Sequence, residues 1–153
     1  MSASTLTVKV EGNPFMDGYK DSFKVILDWK SEGGGAGSVS KAICSTYAAQ
    51  KTFGDFSALP KKIRGIFQSF ETIPGLLGDK TTTCPTDAYD ITLLNAYGYD
   101  VMGGNGANRS SSVAQFVTAT SDVNIDSDLT LTIAAAGDDK TGRIILYFKP
   151  LEY

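Results

Sequence analysis

The chain has 153 residues, a formal charge of −3 and no histidine. That length accommodates one domain with a substantial core, and 42 % hydrophobic against 20 % charged residues excludes a disordered chain. The acidic balance argues against nucleic acid and anionic membrane as main partners, because both select basic patches. Without histidine the commonest general base and metal ligand at neutral pH is missing.

Leu6, Val8 and Val10 alternate with Thr7 and Lys9, the period of a half-buried strand, and residues 1–20 read as an N-terminal arm or an edge strand. Phe23 to Trp29 is a stronger strand, followed by the glycine-rich tip Gly33 to Gly37. Val39 to Tyr47 reads as a strand, with Ala42 to Gln50 also compatible with a short helix, and Thr52 to Lys62 as an irregular connection. Ile63 to Ile73 is apolar on both faces and closes on the turn signal Pro74-Gly75. Ala88 to Leu94 forms the next strand, then Tyr99 to Met102 a short return into Gly103-Gly104-Asn105-Gly106. Val113 to Thr118 is compatible with a strand or a short helix. Alternation over Leu129 to Ile133 and over Arg143 to Lys149 predicts a closing hairpin with its turn at Gly137 to Gly142. The expectation is all-β: a single-domain β-sandwich over residues 1–153, jelly-roll-like, with short helical or irregular connections.

Several motifs are decoys. Ser38-Val39-Ser40-Lys41 and Lys140-Thr141-Gly142 match signatures of penicillin-recognising serine enzymes, but the chain is too short and too β-rich for the helical domain they need. Asp122, Asn124, Asp126 and Asp128 resemble the start of a calcium loop, yet Ser127 and Ile133 stand where the EF-hand requires Gly and Glu. A polar inter-strand loop is expected there. The glycine clusters lack the Gly-Lys-Ser/Thr of a phosphate loop. No catalytic residue, metal ligand or cofactor site is therefore expected. Met1 to Thr5 shows no secretory pattern and no run approaches the ~20 apolar residues of a membrane span, so the expectation is cytoplasmic synthesis with Cys44 and Cys84 as free thiols. Most of the eight phenylalanines and seven tyrosines lie in apolar runs and read as core, whereas Tyr97, Tyr99 and Tyr153 read as exposed.

From about Phe23 to Lys149 the order of segments resembles a family of small virion proteins of tailed bacteriophages. The segments are Leu27 to Ser31, Ile63 to Ile66 leading to Glu71 to Gly75, Pro85 to Leu93, Gly98 to Gly104, Asn108 to Ser110, and the close at Leu129 to Ile133, Ala136-Gly137 and Gly142 to Tyr147. The run Pro85-Thr86-Asp87-Ala88-Tyr89-Asp90-Ile91-Thr92-Leu93 is its most specific element. The resemblance implies a non-enzymatic structural protein of the virion and carries no catalytic residue over. On that basis the chain is expected to be a capsid decoration or cement protein on the outer head surface. Its partners would be the major capsid protein and its own copies, as a homo-oligomer with a trimer favoured. The alternatives are a neck, tail or head-fibre component, and a carbohydrate-binding adhesin that uses exposed tyrosines. Candidate partner contacts are Leu6 and Val8 in the N-terminal segment, Phe53 and Phe56 in the 50–60 connection, and Tyr97 and Tyr99.

Overall fold

The structure is a computed structural model that describes residues 3–12, 21–33, 37–50, 62–75 and 83–150. Eight strands and one helix occur among the described residues. They are β1 (Thr5–Glu11), β2 (Phe23–Lys30), β3 (Val39–Ala42), α1 (Ile43–Gln50), β4 (Ile63–Pro74), β5 (Asp90–Leu94), β6 (Gln115–Ser127), β7 (Thr130–Ala134) and β8 (Thr141–Lys149). A five-stranded sheet, β1-β2-β8-β4-β6, packs on a three-stranded sheet, β3-β7-β5, and every pairing is antiparallel. The protein is an all-β sandwich.

Alternation builds the core. Leu6 and Val8 of β1, Val25, Leu27 and Trp29 of β2, Phe67 and Phe70 of β4, and Ile144, Leu146 and Phe148 of β8 point inward from the large sheet. Ile91, Leu93, Leu131, Ile133 and Val39 meet them from the small one. Burying so many branched and aromatic side chains between two pleated surfaces is the main stabilising term of such a fold. Phe23, Phe67 and Phe148 meet ring to ring, with Phe23 stacked on Phe148 at 4.8 Å and Phe67 edge-on to Phe148 at 5.6 Å.

A bulge in β4 changes which face its aromatics take. The register shifts between Phe67 and Ser69, so the odd-numbered alternation Ile63, Gly65, Phe67 gives way to Phe70 and Thr72. Phe70, expected on the opposite face from Phe67, thereby joins the same core, with the two rings 6.3 Å apart.

Two further expectations are corrected, and one open choice is resolved. β7 and β8 do not pair as a hairpin: β7 lies between β3 and β5, while β8 lies between β2 and β4. Residues 135–140 cross from one sheet to the other, helped by positive φ at Ala135, Gly137 and Asp139. Each strand has more apolar surface to cover than a two-stranded ribbon could bury, so both become central strands. The acidic run at 122–126 is strand β6 and not a loop: Asp122, Asn124 and Asp126 are spaced by two because one face of the strand points to solvent. β3 ends at Ala42, and α1 begins at once, started by Asp128, whose Oδ1 accepts the Cys44 N–H at 2.9 Å.

Candidate functional site

Residues 86–90 and 95–111 fold into a single unit beside β5. Ala88 N–H donates to the Arg109 carbonyl at 3.0 Å and Arg109 N–H to the Tyr89 carbonyl at 2.8 Å. Asp90 accepts from Asn108 N–H at 2.9 Å, and Asp87 from Ser111 N–H at 3.1 Å. Ala88 and Asn108 both hold positive φ, a conformation costly for alanine and tolerable for asparagine, which this pairing over-determines.

Residues 95–109 then run along the outer edge of β5. Val101 N–H donates to the Leu93 carbonyl and Ile91 N–H to the Gly106 carbonyl, each at 2.8 Å, and Leu94 bridges to Asp100. Asp100 organises the turn: its carboxylate accepts from the N–H groups of Leu93, Met102 and Gly104 at 3.0, 3.1 and 3.0 Å. Asn95 Oδ1 accepts from Tyr97 and Tyr99 N–H at 2.9 and 3.0 Å. Val101 and Met102 are buried and pin the loop to the core. Gly106 lies directly on the Ile91 carbonyl, where any Cβ would collide with it.

On this pinned frame Tyr97 is 93 % exposed and Tyr99 55 % exposed. Two aromatic side chains are thus displayed on a backbone held by the Asn95 and Asp100 turns, which limits the entropy lost when they are covered. Chemically the arrangement suits binding through ring faces and phenol hydroxyls.

The other sequence-derived contact residues fall elsewhere. Leu6 and Val8 are corrected: both are buried in the protein's own core, because β1 pairs with β2 in full register and its inward face covers the sandwich. The outer edge of β1 is also occupied. Gln50 of α1 accepts the Val8 N–H on Oε1 at 2.6 Å and donates from Nε2 to the Val8 carbonyl at 2.8 Å, standing in for a neighbouring strand. Phe53 and Phe56 lie outside the described residues.

Potential chemical groups are engaged in structure. Cys44 and Cys84 are both free thiols; burial, then the Asp128 carboxylate, pushes the Cys44 thiol far above its ordinary range, which keeps it protonated. Asp122 pairs with Lys149 at 2.9 Å, and Asp126 with Lys62 at 3.2 Å and Arg64 at 3.4 Å. Among the described residues no group of three or more cysteines or carboxylates converges as a metal site, and no helix is long and apolar enough to cross a membrane. A hollow of about 400 Å³ opens beside Phe23 and Tyr147, lined also by the Lys24–Glu11 ion pair at 3.2 Å.

The segments that carried the family resemblance are neighbours in space. Pro85 to Leu93 meets Gly98 to Ser110 in the loop unit. Leu27 to Ser31 meets the Ala136-to-Tyr147 close in a second unit: Asp28 receives Arg143 Nε at 2.6 Å and Nη2 at 2.9 Å, and Trp29 covers Gly142. Ser31 Oγ donates to the Gly137 carbonyl at 2.6 Å and accepts from Lys140 N–H at 2.8 Å. Comparison of the chain with protein-family models, curated proteins and solved structures gives no match.

Proposed function

We propose that this protein is a non-enzymatic structural protein of a tailed-phage particle, a decoration protein that docks on the outer head surface and stabilises it. The observation that carries the proposal is the pinned loop presenting Tyr97 and Tyr99. It is a fixed display of two aromatic rings: Tyr99 lies within the Gly98-to-Gly104 segment of the virion-family pattern, and Tyr97 stands just before it. Strand order supports the same reading. Setting β1 aside, successive elements alternate between sheets as in a jelly roll, with residues 95–109 along β5 where an eighth strand would lie. Jelly rolls recur in capsid proteins, and also in lectins. The surface is acidic overall, which keeps a protein made in many copies soluble before assembly.

The test adds purified protein to undecorated heads and counts bound copies, for the native chain and for a Tyr97→Ala/Tyr99→Ala double variant. Saturable binding by the native chain, weakened strongly in the variant, supports the proposal. Binding confined to necks or tails moves the protein to the alternative location. Retention on immobilised glycans without head binding replaces the proposal with an adhesin.

A further inference from the structure

The two edges of the five-stranded sheet are treated differently. β1 is capped at Val8 by the Gln50 carboxamide, and Lys9 and Glu11 place charges along it. The first arm of β6 has neither device among the described residues. Among the described residues, no backbone hydrogen bond reaches its outer edge, so the N–H and C=O groups on that side lack a strand partner. Its first arm, Gln115-Phe116-Val117-Thr118-Ala119, contains no charge and no proline, the usual guards of an exposed edge.

Phe116 is 62 % exposed on the outer face of this arm. One side of its ring rests against Tyr147, with centroids 5.7 Å apart, and the other side faces the open edge. The register across the sheet runs Lys9, Ile26, Ile145, Glu71, Phe116, so among the described strands the row of side chains ends in an aromatic.

We infer that the first arm of β6 pairs antiparallel with the same arm of a second copy of this chain, about a two-fold axis at Val117, joining the two large sheets edge to edge. Charge and shape select this occupant and this register. With Val117 opposite its own mate, Gln115 faces Ala119 and Phe116 faces Thr118, all uncharged. The two Phe116 rings then become diagonal neighbours, within aromatic reach, and extend the Tyr147–Phe116 contact through the junction. Sliding the axis to Asp122, or to Asn124, sets carboxylate against carboxylate, with Asp122 opposite Asp122 or Asp126. The irregularity between Thr118 and Val123, where β6 takes five steps to two of β4, confines pairing to the neutral arm. The inference stands apart from the virion reading, because a two-fold pair forms in solution whatever surface the tyrosine loop meets.

Sedimentation of the full-length protein tests it, with Phe116→Lys and Phe116→Glu as variants at an exposed position that leaves the core untouched. Native protein is expected at twice the chain mass of 16.3 kDa, in a concentration-dependent equilibrium. Each variant alone is expected to associate about thirtyfold more weakly or worse, as for an anchor at the centre of an interface. Mixing the Lys and Glu variants is expected to restore the dimer, since opposite charges then meet across the axis. A monomer at all concentrations overturns the inference, as does a trimer, which an isologous two-fold contact cannot build. Dimers that persist unchanged in both variants also overturn it, as does a mixture no stronger than its parts.

Discussion

The β2–β8 seam and the tyrosine loop are held by different physics. In the seam, residues more than a hundred positions apart meet through burial, a two-pronged ion pair and a close approach of Trp29 to Gly142. In the loop, side chains mostly bond to backbone a few residues away, as Asp100 does to Leu93, Met102 and Gly104. The first kind of unit forms only when the whole sandwich forms. The second needs only its own turn and a place to rest. The seam therefore sets whether the protein folds, and the loop sets what the folded protein displays.

The largest effect should come from the seam. A Cβ at Gly142 falls 2.6 Å from the Trp29 ring of the neighbouring strand, with the indole itself buried in the core, so Gly142→Ala forces the indole or the β2–β8 pairing to shift. A loss of about 3 kcal/mol is expected in urea unfolding, with spectroscopic probes of both sheets affected together. A drop confined to one probe would mean that the seam's strain does not pass through Trp29 to the other sheet.

Next comes the loop's organiser. Asp100→Ala removes three backbone acceptor contacts and leaves N–H groups of Leu93 and Met102 in part-buried positions, for an expected loss of about 2 kcal/mol. In contrast to Gly142→Ala, faster amide exchange should be concentrated in 93–106, with the β2–β8 amides changed only in proportion to global stability. Equal local change in both regions would erase the distinction between them.

A pH test probes the place where the two units touch. The Tyr89 ring lies 5.8 Å from the Trp29 ring, and burial pushes its phenol up to about 12 from 10.0, against opposing pulls from the nearby Thr72 hydroxyl and Arg109. The hydroxyl, although near Thr72, has no partner in hydrogen-bond geometry. A raised folded-state pKa gives stability that is whole below pH 10 and lost as pH rises through about 12, because the unfolded chain ionises first. By pH 11 this amounts to about 1 kcal/mol. Tyr89→Phe should lessen the alkaline decline by about that amount while leaving neutral stability equal or higher, the remainder being carried by the raised Cys44 thiol. An alkaline decline as steep in Tyr89→Phe as in the native chain would show that Tyr89 carries none of it.

The smallest effect on folding belongs to the most exposed ring. Tyr97→Ala should move stability by less than about 0.5 kcal/mol, since the side chain touches solvent while the backbone bonds to Asn95 remain. Its measurable consequence should lie in binding to heads, which is the sharpest separation between display and folding.

The amino-acid sequence by itself determined the all-β class, the positions of β1, β2, β4 and β5, and the exposure of Tyr97 and Tyr99. Period-2 alternation and turn residues encode these within a few positions of each other. Tertiary structure alone decided which strands are neighbours. β7 and β8 alternate cleanly and lie close in the chain, as hairpin strands do, but local pattern says nothing about which of two sheets buries a given face. It also decided that β4 bulges between Phe67 and Ser69, that Leu6 and Val8 serve the protein's own core, and that Gln50 guards one sheet edge while the neutral arm of β6 stands open. Each of these depends on what a residue meets across the sandwich, and contacts between distant segments leave no periodicity along the chain.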